Sequence, residues 1–182
     1  VQGAAAPERN VMLSYRRTDV VALNGGAHEL MDRAGRLGTE RLQMLNGEEL
    51  ASGDRVLCCR NDRRLQLTNG TRGVVAEVDP VNHQVTIVTD RGARVRIESD
   101  YLDAGHLRLG YAMTGHASQG ITVDRAFVLA SPGGAQREWG YVALSRARTQ
   151  TRIYLSACDL DPDLLESSQG AAPPLAQLTR AL

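Results

Sequence analysis

Lysine is absent from this 182-residue chain, so all twenty-one of its basic residues are arginines, balanced by twenty-one acidic residues. Every cationic contact must therefore use a planar, permanently charged fork, which suits bidentate phosphate contacts. Arginine, alanine and glycine are plentiful along the whole chain, so compositional drift explains the bias as well as any function does. A formal net charge of zero leaves no global field to attract nucleic acid, and any such contact must come from local patches. The chain also lacks a G-x-x-x-x-G-K-[ST] loop, which excludes that way of cradling the phosphates of a nucleoside triphosphate. Its three cysteines, Cys58, Cys59 and Cys158, form no C-x-x-C pair. Adjacent Cys58 and Cys59 would point to opposite faces of a strand, so neither a disulfide framework nor a zinc site is expected. No apolar run approaches the ~20 residues that span a bilayer, and Val1–Pro7 lacks the basic and apolar regions of a signal peptide. A soluble, reducing, cytoplasmic setting without a membrane partner is expected. The missing initiator methionine suggests a piece of something larger.

Asn10–Tyr15 reads as a short buried strand, followed by the polar break Arg16-Arg17-Thr18. A helix should follow, capped by Thr18 or Asp19, with Val20, Leu23, Ala27, Leu30, Met31 and Ala34 at helical spacing and Gly35 as a left-handed stop. Gly25 and Gly26 weaken that pattern. From about Gly47 to Gly105 the chain changes to short β-rich runs, Asp54–Cys59, Gly73–Val78, Gln84–Val88 and Ala93–Ile97. Turn chemistry at Thr68-Asn-Gly70, Asp79–Asn82 and Asp90-Arg-Gly92 divides them, and the block reads as an inserted small barrel. Leu107–Met113, Arg125–Ala130 and Thr151–Leu155 then return as buried-strand runs alternating with helix-compatible segments, the pattern of a mostly parallel sheet. Residues 161–182 carry no chemical motif and read as a packing segment or linker.

In such a sheet the residues beyond a strand's carboxyl end face the ligand cleft. This predicts that Thr114, Gly115, His116, Ser118, Gln119 and Gly120 are displayed there, with hydroxyls and amides able to hold a phosphate backbone without reading bases. An ordinary strand-to-helix turn would contain the same residues. Ala135–Ala147 reads as an amphipathic helix with Arg146 in its last turn. From there Arg146 could project from the domain edge to a γ-phosphate or simply complement the helix dipole. Arg16 and Arg17 face the same choice between a phosphate contact and a solvated loop charge. His116 has no second histidine at ligand spacing, so no metal site is assigned.

Thr114-Gly-His-Ala-Ser-Gln-Gly120 resembles motif V of superfamily-one DNA helicases of the RecD-like type, and Tyr141-Val-Ala-Leu-Ser-Arg-Ala-Arg148 resembles their motif VI. Tyr15-Arg-Arg-Thr18 with Leu23-Asn24 is similar to their motif IV region. Gly53-Asp-Arg-Val56, Asn61-Asp62 and Asn69-Gly-Thr-Arg-Gly-Val74 resemble the Src-homology-type barrel inserted in their second RecA-like domain, as in the helicase parts of conjugative relaxases. The resemblance, over roughly residues 10–156, implies a RecA-like, mostly parallel α/β sheet with helices on both faces. It implies RecA-like parts at 1–46 and 107–160 around a barrel at 47–106. Arg146 would be the arginine finger, and Arg16 or Arg17 a second γ-phosphate contact. Gln119, Gly120 and Thr122 would complete the ATP edge, and Thr114, His116, Ser118, Asn69 and Arg72 would track single-stranded DNA. Ala117 stands where the family commonly has lysine, removing one cationic contact. Motifs I, Ia, II and III are missing, so ATP and Mg²⁺ would bind only with an N-terminal RecA-like partner domain, and the chain alone should not hydrolyse ATP. The alternative is a non-enzymatic nucleic-acid- or protein-binding module derived from a helicase.

Overall fold

The computed structural model describes residues 9–130 and 137–155. In chain order the elements are β1 (Asn10–Ser14), α1 (Arg17–Arg33), β2 (Arg41–Gln43), β3 (Glu49–Ala51), β4 (Arg55–Cys58), β5 (Arg72–Asp79) and β6 (Gln84–Thr89). There follow β7 (Arg94–Ile97), α2 (Ser99–Asp103), β8 (Leu107–Leu109), β9 (Ala112–Thr114), β10 (Val123–Ala130), α3 (Arg137–Leu144) and β11 (Ala147–Leu155). They fall into two compact units. One is Val21–Tyr111, and the other combines Arg9–Val20 with the described residues from Ala112 onward.

The second unit is an α/β layer whose four strands run in the order β11-β10-β1-β9, every pairing parallel. Val11 and Leu13 of β1 are buried, as are Val123, Ala126, Val128 and Ala130 of β10. Covered strands of this kind read as apolar runs, which is why they were legible. The helix at the first polar break starts at Arg17, one or two residues ahead of the predicted caps, with Val20 N donating to Arg16 O. Asp19 accepts instead from the Ser14 hydroxyl at 2.8 Å. Helix α1 runs unbroken through Gly25 and Gly26, a pair costing ~1 kcal/mol each against alanine, because Asn24 and Met31 are buried on one face. It ends as expected: Gly35 takes φ 63°, its amide reaches Asp32 O, and the Arg36 amide reaches Met31 O.

In the first unit, β2 and β3 pair as an antiparallel hairpin, and five antiparallel strands run in the order β7-β6-β5-β4-β8. The four strand runs read from the sequence all form, within two residues. The run 107–113 does not form the single strand expected of it. It breaks at Gly110-Tyr111 into β8, antiparallel to β4, and β9, parallel to β1. A Cβ on Gly110 would lie 2.6 Å from the Val56 carbonyl carbon and 2.8 Å from its oxygen. The crossing therefore requires glycine.

Two polar clusters are built into this unit. Asp54, buried beside the β3–β4 turn, accepts from Ala51 N at 2.7 Å and the Tyr111 hydroxyl at 2.8 Å, while His28 Nδ1 lies 3.0 Å from both carboxylate oxygens. Burial pushes the Asp54 carboxyl above its usual range, against the bonds from His28, Ala51 and Tyr111. Burial and the neighbouring Asp54 charge push the Tyr111 phenol up.

The second cluster centres on Arg55, 1% exposed, whose guanidinium holds Asp90 through bonds of 2.7 and 2.9 Å. Arg72 is buried near them, and burial, aided by the Arg55 charge, lowers its pKa to about 10. Burial works against the Asp90 carboxylate, but the Arg55 bonds and the charges of Arg55 and Arg72 outweigh it and hold its pKa below the usual value. A carboxyl with a depressed folded pKa contributes stability above its unfolded pKa of about 3.9, and that contribution is lost as pH falls through the folded value. Asp90→Asn should therefore flatten the acid limb of the stability profile, read as urea midpoints between about pH 6 and pH 3. Parallel profiles for the two proteins would reject this account.

Candidate functional site

Ser14 and Thr114 are partners in the register of β1 and β9. Tyr15-Arg16-Arg17 and Gly115-His116 therefore leave neighbouring strand ends. Arg16, Arg17 and His116 are exposed there, while Thr114 is half-buried. Residues 115–120 form a run of tight turns. Ser118 N donates to Thr114 O and Gly115 O, Gln119 N to His116 O and Ile121 N to Ser118 O. Gly120 takes φ 82°. Chain direction then carries the loop to the opposite strand ends, because Val123, which opens β10, pairs with Ala147, which opens β11.

The predicted DNA-tracking hydroxyls do not all face solvent. Ser118 is fully buried, and its Oγ donates to Gly115 O at 2.7 Å. Its observed work is to close the turn. Thr114 Oγ1 accepts from Ala117 N at 3.4 Å. Gln119, Gly120 and Thr122 are exposed, as is Asn69, whose amide donates to Asn61 Oδ1 at 2.7 Å. Arg72, by contrast, is 6% exposed within β5 and offers little surface to a ligand.

Arg146 departs from expectation in two ways. Helix α3 ends at Leu144, so Arg146 lies in the bend before β11 rather than in the last helical turn. Nor does its side chain project from the domain edge. It is half-buried, with Nε donating to Val142 O at 2.9 Å and one terminal nitrogen to the Ser145 hydroxyl at 2.8 Å. The other terminal nitrogen is shared between Ser118 O and Ile121 O, both at 3.4 Å. The motif V-like and motif VI-like segments thus meet through this guanidinium. Arg148, which closes the motif VI-like segment, is an exposed residue of β11.

Trp139, the chain's one tryptophan, packs against the same loop, a contact that helical spacing alone does not indicate. It is 7% exposed, and Tyr15 meets it edge-on with ring centroids 6.0 Å apart. A Cβ on Gly115 would stand 2.7 Å from two indole atoms. Gly115→Ala should therefore destabilise the protein by ~1–3 kcal/mol, since a buried ring must shift to admit the methyl. Urea unfolding followed by Trp139 emission measures this, and an unaltered midpoint would show that the indole yields freely.

No protein-family model matches the chain. Curated relatives do: the conjugal transfer protein TraA of Agrobacterium fabrum is 36% identical over 146 residues, 79% of this chain and 13% of that protein. The ATP-dependent DNA helicase Pif1 of Bdellovibrio bacteriovorus is 34% identical over 123 residues, 58% of this chain and 26% of that protein. The fold matches the crystal structure of Bacteroides Pif1 helicase in complex with ADP-AlF3 and single-stranded DNA, with a TM-score of 0.61 at 22% identity, covering 94% of this chain and 44% of that one. The chain has a helicase-like fold. Bacteroides Pif1 bound to single-stranded DNA gives a TM-score of 0.60 at 19% identity, covering 98% of this chain and 49% of that one. The chain thus spans about an eighth of TraA and less than half of the Pif1 structures. Among the described residues, no helix is long and apolar enough to cross a membrane.

Proposed function

We propose that this helicase-like domain is the C-terminal motor half of an ATP-dependent DNA helicase or translocase, within a conjugative relaxase-helicase. Residues 1–46 and 107–160 would be its RecA-like part, 47–106 a small inserted Src-homology-type barrel, and 161–182 a packing segment or linker. The observation that supports the reading is the meeting of the loop after Thr114 with Arg146, whose guanidinium reaches the Ser118 and Ile121 carbonyls. The side chains near this contact, a guanidinium and the exposed Gln119 and Thr122, include no carboxylate and fit an anion rather than a metal. ATP, when bound, supplies the phosphoryl group whose transfer drives the motor, and it would lie between this chain and an N-terminal RecA-like domain that also holds Mg²⁺. Arg146 would then turn to the γ-phosphate, with Arg16 or Arg17 as a second cation. Thr114 and His116 would contact single-stranded DNA, with Ser118 shaping their loop, and Asn69 of the first unit would offer a further contact.

Because only a few arginines would release counterions, the isolated chain should bind single-stranded DNA weakly and with marked salt sensitivity. Fluorescence anisotropy with a labelled oligonucleotide, titrated between about 50 and 200 mM salt, tests this: affinity that does not change with salt contradicts the reading. A second reading, a non-enzymatic binding module, is favoured by the missing phosphate loop and the zero net charge. It predicts that joining the upstream polypeptide creates no DNA-stimulated ATPase.

A further inference from the structure

The guanidinium of Arg146 makes its loop contacts with the segment proposed to touch DNA. We infer that Arg146 is a positioning residue for the 115–121 loop, holding that loop's shape through the Ser118 and Ile121 carbonyls whenever it is not engaged with nucleotide. The inference deepens the proposed function and rests on that reading for the nucleotide half only.

The geometry supports a cap that can be released. Nε is anchored to Val142 O at 2.9 Å, while the reach to the loop is one nitrogen shared between two carbonyls at 3.4 Å. Long, shared bonds of this kind are weak, so a phosphate could outcompete them and draw the fork away. Once it leaves, both carbonyls lose a charged donor. They belong to the turn whose interior is the fully buried Ser118, closed by Ser118 N to Thr114 O at 3.0 Å and Ile121 N to Ser118 O at 3.0 Å. The Arg146 backbone is tied to the far end of the loop as well, since its carbonyl accepts from Val123 N at 3.0 Å. One guanidinium would therefore serve two sites in turn. Nucleotide engagement would loosen the DNA-facing loop, and a loop held rigid by DNA would retain the cap. Such sharing is a coupling with two named states and a named differential contact.

Hydrogen exchange of the Ser118, Gln119 and Ile121 amides reads the cap directly in the isolated chain, with no nucleotide present. Arg146→Gln should raise their exchange about tenfold while β1 and β10 keep their protection. Arg146→Lys should raise it too, because a single ammonium on a linear stem cannot reproduce the fork. Arg148→Gln, at an exposed neighbouring position, should leave it unchanged. Trp139 emission identifies a variant that has lost its fold, and the lysine variant then carries the test. In the chain joined to its upstream half, a non-hydrolysable ATP analogue should raise exchange at the same amides in the wild type and add nothing in Arg146→Gln. Unchanged exchange in both Arg146 variants of the isolated chain overturns the inference, whatever happens to ATP turnover. Raised exchange with normal turnover would instead keep the cap and remove the finger.

Discussion

Arg146→Ala, made in the chain joined to its native upstream half, is expected to lower DNA-stimulated ATP turnover by about 10³-fold or more. The magnitude follows from what a guanidinium does beside a transferring phosphoryl group: it stabilises charge that develops only in the transition state, inside a cleft where screening is low. The alternative role, complementing the dipole at the end of α3, is worth only ~0.3 to 1 kcal/mol of stability and would leave turnover nearly intact. The two accounts differ by orders of magnitude, so a single kcat measurement separates them. Because Arg146 also bonds Val142, Ser118 and Ile121, the variant's unfolding midpoint must be measured alongside it. Turnover within a few-fold of wild type in a folded variant would sink the finger assignment.

Asp54→Ala is expected to destabilise the first unit by roughly 3–5 kcal/mol, the cost of leaving buried donors without their acceptor. Three groups lose their partner at once: the Ala51 amide, the Tyr111 hydroxyl and the ring of His28. The carboxylate is completely buried, so water cannot take its place without opening the structure. These groups come from α1, the end of β3 and the break between β8 and β9, the last lying 57 positions from Asp54 in the sequence. Urea denaturation of the isolated chain measures the effect. His28→Ala and Tyr111→Phe should each cost less, because each removes only one donor. A loss below about 1 kcal/mol in Asp54→Ala would mean that the cluster is not a tertiary clamp.

Much of the architecture was legible because it depends on local pattern. Covered strands appear as unbroken apolar runs, and the four β-rich runs between positions 54 and 97 are bounded by turn residues. The Gly35 stop was readable from residue type alone, since only glycine takes its left-handed conformation freely. Less legible were features set by packing. The pair Gly25-Gly26 discourages a helix on propensity, yet α1 runs through it because burial of one face outweighs the cost. Nothing local told that Leu107–Met113 would divide at Gly110 between an antiparallel and a parallel partner, because both halves are mainly apolar.

The sequence by itself determined the kind of chemistry available: arginine as the only strong cation, no phosphate loop, and two motif-like segments in a fixed order. These are properties of residue type and spacing, present before any folding. Only the tertiary structure decided where those groups point. It turned the Ser118 hydroxyl inward, sank Arg72 in a strand and laid Arg146 across the loop that Thr114 begins. Direction depends on which distant carbonyls and carboxylates a side chain meets once strands 100 residues apart in sequence are paired side by side. Such contacts are set by three-dimensional packing, which no one-dimensional spacing encodes.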